Sequence, residues 1–266
     1  MINALTSAAD LIMTRRELLY RTMIVEIRRR YAGSMLGTVW LLLGPLLLMM
    51  LYAIIYGVVF RLKPPELSSN EYTIYILAGL IPFFGFSDAL TGGSMSLTVQ
   101  RDVLLNTVFP AELVPLRAVL VAFVAPSIGM LLILLAIALL GKLSLWALLV
   151  PVVLGLMILF VSGIAWLLSL ANLVVRDIQQ VLTYMSMVLL VTSPIAYTPS
   201  MLPPGFSVLI WLNPLSYFVI AIQSLVVFAS FPPFGAAIGC VLLGLGGFAI
   251  GWKVFQRAKM VFFDYA

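Results

Sequence analysis

Few side chains in this sequence are suited to chemistry, and the one that stands out is Asp88, a carboxylate inside the apolar run Thr73–Leu97. On insertion scales a charged residue at that depth costs about 2.5–3.5 kcal/mol, so it must face a helix bundle's interior or water. Two readings follow: a residue lining a hydrated pathway, or a helix-packing hydrogen bond helped by Ser87, Thr91, Gly92 and Gly93. The chain has no histidine, which removes the commonest general base and metal ligand. Its single cysteine, Cys240, has no disulfide partner. A glycine-rich phosphate loop ending in Gly-Lys-Ser/Thr, a His-Glu-x-x-His zinc motif and a close pair of intramembrane carboxylates are all missing. The expected catalytic, cofactor-binding and metal residues are therefore none. A proton- or ion-driven carrier would hold more intramembrane ionisable groups than Asp88 alone. These observations point to a pore-forming or transport subunit whose energy source lies in another chain.

The elements that must carry Asp88 are set by composition. Of 266 residues, 63% are hydrophobic and 9% charged, against ~45–50% and ~25% in soluble domains. So much apolar surface needs lipid as its solvent. Runs of the ~20 apolar residues that a crossing helix requires occur at Leu36–Phe60, Thr73–Leu97, Leu113–Leu140, Leu145–Leu173, Ile178–Tyr197 and Phe234–Trp252. The further apolar stretch Phe206–Ser230 is broken by Asn213, Pro214 and Gln223, and reads as a seventh span or a re-entrant pair of half-helices.

Charge decides between these. With six spans, one side receives twelve of the 15 basic residues, and only Arg61, Lys63 and Lys142 fall on the other. The positive-inside rule then places both termini in the cytoplasm. A seventh span would carry Lys253, Arg257 and Lys259 outside. The expected fold class is thus an all-α integral membrane protein of six transmembrane helices, with a re-entrant outer segment between spans five and six. Residues 1–34 are expected as a cytoplasmic segment and 35–266 as a single membrane domain. Met1–Asp10 lacks the basic stretch and apolar run of a cleavable signal peptide, so the first span is expected to direct insertion. The net charge of +5 follows from this sidedness and does not indicate nucleic acid.

Ala9–Tyr31 is far more polar than the rest. On a helical wheel Leu19, Tyr20, Met23, Ile24, Ile27 and Tyr31 share one side, while Arg15, Glu17, Arg21, Arg28 and Arg29 lie mostly on the other, with Arg16 and Leu18 misplaced. The pattern predicts an amphipathic interface helix, either a topology anchor on anionic lipid or a docking surface for a cytoplasmic partner. Gln100–Pro115, with Arg101, Asp102 and Glu112 and with Pro110 and Pro115 placed as breakers, reads as a short helix parallel to the membrane or, as its composition favours, as an ordinary connecting loop. Aromatic residues gather toward the outer ends of the spans, among them Tyr52, Tyr56, Phe84, Phe86, Tyr197, Trp211 and Tyr217. They fit an interfacial belt or a set of flat faces along which a sugar chain could slide.

Five stretches resemble the permease subunits of type-2 ABC transporters that export bacterial polysaccharides such as capsule, O-antigen and teichoic acid. They are Arg28–Phe60 (with Tyr31, Ser34, Gly37, Trp40 and Pro45), Tyr75–Leu90, FPAELVPL at Phe109–Leu116, NLVVRDIQ at Asn172–Gln179 with SPIAY at Ser193–Tyr197, and LNPLSYF at Leu212–Phe218. Where Ala111 stands the family usually has a basic residue. The resemblance implies a homodimer in the bacterial inner membrane with two cytoplasmic nucleotide-binding ATPase subunits, which would bind ATP and Mg. It implies ATPase coupling through the Arg15–Tyr31 helix (Arg15, Arg16, Arg28, Arg29) and Gln100–Glu112 (Arg101, Asp102, Glu112). Pro199–Ser230 would form outer gate helices, with Pro203, Trp211, Asn213, Pro214 and Tyr217 as candidates. A channel on the dimer axis would be lined by Tyr52, Tyr56, Phe84, Phe86, Asp88 and Tyr197. The implied cargo is lipid-linked polysaccharide. The same architecture with a lipid or drug as cargo, or a membrane-embedded glycosyl or acyl transferase, are the alternatives.

Overall fold

A computed structural model describes residues 2–55, 67–106, 109–175, 177–198, 201, 205 and 207–259, and every regular element among them is helical. In chain order these are α1 (Ile2–Thr14), α2 (Arg16–Arg30), α3 (Trp40–Ile54), α4 (Ser69–Val99), α5 (Arg101–Asn106) and α6 (Leu113–Ala122). They continue as α7 (Val124–Leu139), α8 (Val150–Val174), α9 (Ile178–Thr192), α10 (Ser207–Leu212), α11 (Pro214–Val226) and α12 (Phe234–Ala258). Among the described residues, four stretches are long and apolar enough to cross a membrane: Ser69–Val99, Leu113–Leu139, Leu145–Val174 and Phe234–Ala258. At the other two expected spans stand shorter apolar helices, Gly37–Tyr52 and Ile178–Thr192. At 1.5 Å per residue α9 is about 22 Å long, short of a hydrocarbon core of about 30 Å.

Local chemistry explains the boundaries. Ser68 and Glu71 form a capping box at the start of α4: the Glu71 amide donates to Ser68 Oγ, and the Ser68 amide donates to Glu71 Oε2 at 2.8 Å. Glu71 also takes Lys142 Nζ at 2.5 Å, which ties that helix start to the α7–α8 turn. Gly141 ends α7 with φ +70°, and the Lys142 amide returns to the Ile137 carbonyl at 3.1 Å, the Schellman closure. Pro126 cannot donate to the carbonyl of Ala122 and its ring crowds that oxygen, so the crossing Leu113–Leu139 breaks into α6 and α7 at Phe123. Pro115, expected as a breaker, sits instead in the first turn of α6, where a missing amide costs nothing.

The centre of the bundle is α8 packed on α4 and α12. Helices α8 and α12 cross almost backbone to backbone: a Cβ built on Gly251 would collide with the carbonyl oxygen of Gly163. The small residues of α12 that look generic in sequence are required at that crossing.

The N-terminal segment differs from its expected form. The single amphipathic helix of Ala9–Tyr31 is two helices meeting at Arg15, and the sided one is α1, whose Leu5, Ala8, Leu11 and Ile12 join an apolar cluster with α12. On α2 Leu19 is buried and Met23, Ile24 and Ile27 are half-buried, but Tyr20 is 65% exposed and Leu18 takes its place against the core. The connection that follows α4 holds regular structure as well. Arg101–Asn106 closes as a short helix, with Asn106 Nδ2 donating to the Asp102 carbonyl at 2.8 Å.

Candidate functional site

Asp88 and the aromatic residues near it line a groove between α2, α3, α4 and α7. Two connected cavities form it. One of about 280 Å³ lies against Ile27, Arg30, Tyr31, Phe84, Asp88 and Pro126. The other, of about 300 Å³, lies against Tyr31, Trp40, Pro45, Leu48, Ile81 and Phe84. Tyr31, Phe84, Ala125 and Pro126 belong to both, which makes the groove continuous.

Each wall has a local cause. Gly33 and Gly37 adopt φ +81° and +50°, the left-handed region that glycine reaches without strain, and so turn the chain from α2 into α3. Trp40 Nε1 donates to Ser34 Oγ at 3.0 Å and closes that turn, setting the indole beside the groove. On α4, Phe84 stays 41% exposed with Phe83 edge-on at 5.8 Å, while the next residue, Gly85, lets the Pro126 ring approach where a Cβ would come within 2.9 Å. The break at Phe123 thus shapes the α7 side of the groove.

Arg30, at the end of α2, reaches Asp88 with both terminal nitrogens, at 2.7 and 3.4 Å. The pair is partly exposed, with 36% of the Arg30 side chain and 46% of that of Asp88 accessible. It resolves the two readings of Asp88 into a third arrangement: the carboxylate lines a cavity and is neutralised from another helix. Sequence reading singled out Arg28 and Arg29 as contacts and passed over Arg30. The signal available was that a carboxylate inside a span requires a cation at matching depth, and Arg30 is the last arginine before the first span.

The remaining expected residues separate clearly. Tyr52 is half-buried against the main core. Phe86 is 1% exposed and stacked on Phe160 at 6.4 Å, so it belongs to the core and not to the groove. Tyr197 is half-buried above α9, its hydroxyl donating to the Thr192 carbonyl at 2.8 Å. Tyr56 and Pro203 lie outside the described residues. Arg15, Arg16, Arg28, Arg29, Arg101 and Asp102 are exposed.

Glu112 does not share that exposure. It is 7% exposed and accepts from Lys259 Nζ at 2.8 Å and Gln256 Nε2 at 3.0 Å, at the end of α12. Its own carbonyl accepts from Trp166 Nε1 at 2.9 Å. Burial alone would push the Glu112 carboxyl up, but the Lys259 ammonium, with the Glu112 backbone amide and the Gln256 amide, holds it below the ordinary 4.5. Sequence reading had no way to find Trp166, which is fully buried with Phe248, Trp252 and Phe255 at 5.0, 5.1 and 6.3 Å.

At the opposite end, Asn213 is a buried joint. Its Oδ1 caps α11 at the Leu215 amide (2.9 Å) and its Nδ2 donates to Leu189 O, Thr192 Oγ1 and Ser193 Oγ at 2.9–3.1 Å. Pro214 begins α11 at the position where its fixed φ fits best. Trp211 and Tyr217 pack 5.4 Å apart, and the Tyr217 ring lies where a side chain on Gly239 would collide with it. Gln223, on the same helix, donates to the carbonyls of Tyr75 and Pro194 at 3.2 and 3.0 Å.

Comparison with known proteins places this arrangement. Two O-antigen export system permease proteins RfbA of Klebsiella pneumoniae are each 28% identical to this chain, over 203 and 204 residues, or 75% of this chain and 76% of each relative. The protein of that name from Myxococcus xanthus is 27% identical over 203 residues, again 75% and 76%. A family model described as ABC-2 type transporter matches residues 16–227, so the chain belongs to the ABC-2 type transporter family.

Proposed function

We propose that this chain is the membrane permease subunit of an ATP-driven exporter that moves lipid-linked polysaccharide across the bacterial inner membrane. The observation that carries the reading is its similarity, across three quarters of its length, to proteins named as O-antigen export permeases. In this reading α3 and α9 complete six crossings, and α10 and α11 form the re-entrant outer segment. Both termini face the cytoplasm, in accord with the uneven distribution of basic residues.

Two copies of the chain act with two cytoplasmic ATPase subunits. Those subunits bind ATP and Mg, since this sequence has no phosphate loop. The apolar faces of α3 and α9, where Met50 is 61%, Tyr184 69% and Val191 74% exposed, are available to lipid or to the second copy. The exposed Arg15, Arg16, Arg28, Arg29, Arg101 and Asp102 serve as the ATPase contact, and the groove of Tyr31, Trp40, Phe84 and Asp88 belongs to the conduit. Flat aromatic walls with one neutralised ion pair suit a polymer that must slide without being held.

Purification of the tagged chain from its own membranes in mild detergent tests this. An equimolar nucleotide-binding subunit with vanadate-sensitive ATP hydrolysis is expected. A chain that purifies alone and hydrolyses nothing would sink the proposal. Cargo is tested by replacing Phe84 and Trp40 with alanine, which should impair polysaccharide export while leaving basal ATP hydrolysis in place.

A further inference from the structure

Below the groove, a separate cavity of about 180 Å³ lies between α2, α4 and α6, lined by Glu26, Arg30, Ser96, Gln100 and Arg117 together with apolar side chains. Arg117 is its unusual member. Its side chain is only 9% exposed, and the nearest carboxylate oxygen, on Glu26, is 3.8 Å away, beyond hydrogen-bonding distance. Among the described residues, its Nε is buried without any hydrogen-bond partner. Arg30, across the cavity, has its charge answered by Asp88, and Arg29 stands near enough for its positive charge to be felt at Arg117. Three guanidinium groups therefore meet two carboxylates, and one of the two carboxylates is already engaged.

A buried guanidinium presents five donors in a planar fork, and the group that matches the fork is a carboxylate or phosphate bound through two oxygens. Glu26 is too far to serve. The cavity sits one helical turn inside the start of α6 and beside the end of α4 at Gln100, near one boundary of the apolar spans. Lipid phosphates lie at that level of a bilayer, and basic pockets between crossing helices select them. The volume admits a phosphate and the atoms next to it, but not a sugar chain. Val99, also on its wall, is 57% exposed, so an apolar surface continues outward from the cavity for the lipid tails.

We propose that this cavity binds the phosphate of a membrane phospholipid in the leaflet on which α2 lies, with Arg117 as its principal ligand and the Gln100 side-chain amide as a further donor. The site depends on neither the cargo nor the ATPase partner of the function proposed above.

The test is native mass spectrometry of the full chain in neutral detergent, titrated with phosphatidylglycerol and, as a phosphate-free control, with a galactosyl diacylglycerol. In parallel, inorganic phosphate is titrated while the unfolding temperature is followed. One phosphatidylglycerol should bind per chain, with no comparable uptake of the galactolipid. Arg117→Gln should weaken that binding at least tenfold. Arg117→Lys, which keeps the charge but loses the fork, and Gln100→Leu should weaken it less, and these two carry the test if Arg117→Gln does not fold. Stabilisation by inorganic phosphate that is lost in Arg117→Gln, without lipid binding, would keep the phosphate site but overturn the lipid as its source. Equal retention of phosphatidylglycerol by the wild type and all three variants would overturn the proposal.

Discussion

Two of the ion pairs that join distant parts of this chain lie in opposite surroundings. Glu112–Lys259 lies against the fully buried Trp166, its carboxylate side chain 10% exposed and bonded a second time by Gln256. Arg30–Asp88 lies in an open groove, with both side chains at least a third exposed. In sequence the two acids look alike as isolated carboxylates in or beside apolar spans, and Glu112 reads as the one reaching a partner. Glu112 fastens the start of α6 to the end of α12, and Asp88 is the one at a cavity wall. A buried, doubly bonded charge is costly to disturb, whereas a hydrated pair contributes little to stability and is free to rearrange.

The comparison breaks first at Trp166. Its indole fills the centre of the cluster that gathers α1, α6, α8 and α12 and donates to the backbone of Glu112. Trp166→Ala should lower the unfolding free energy in mixed micelles by about 4 kcal/mol through lost burial and the cavity left behind. It should also loosen α1, seen as faster proteolysis after Arg15 and Arg16. A loss below about 1 kcal/mol would mean that the cluster collapses around the gap.

Glu112→Ala is the next largest. It removes the acceptor of Lys259 and Gln256, and because Lys259 is 37% exposed its ammonium can turn to water. The expected loss is about 2 kcal/mol, less than for a fully trapped charge. Asp88→Asn should cost about 1 kcal/mol or less on the same scale, yet reduce export strongly, because it leaves the Arg30 charge unanswered on the groove wall. Arg30→Gln should resemble it. If Asp88→Asn destabilised the protein as much as Glu112→Ala while export per folded molecule held steady, Asp88 would be a packing residue and the contrast would fail.

The parts of this arrangement legible in sequence are those set by short-range chemistry. The all-helical class, the long apolar runs and the capping sequence Ser68–Glu71 are written in composition and spacing, and so is the breaking power of Pro126. The groove was visible only in fragments: Ser34, Gly37 and Trp40 stand out as a motif, but nothing in their spacing says that the indole closes on Ser34. The assignments that changed depend on contacts between residues far apart in the chain. Phe86 and Phe84 are two positions apart on α4, and only the placement of α8 decides that Phe86 is core and Phe84 is groove. Glu112 and Lys259 are 147 positions apart. Charge dominates a helical wheel and draws the amphipathic reading to the more basic stretch, which does bury Leu19, whereas the more clearly sided face belongs to α1.

The smallest effect separates the two pairs most cleanly, because it needs no assumption about transport. Glu112 has its carboxyl held below 4.5 in the folded chain. A group with a depressed folded value adds stability that is fully present above the ordinary carboxyl value and disappears as pH falls through the folded one. The difference in unfolding free energy between the wild type and Glu112→Gln should therefore be constant from neutral pH down to about 5, and should shrink progressively as the pH drops below 4.5. The other carboxylates titrate in both proteins and cancel in the difference. A gap that stayed constant down to pH 3 would show that Glu112 acts as a neutral hydrogen-bond acceptor and not as the anion that holds Lys259, and the contrast with Asp88 would then rest on burial alone.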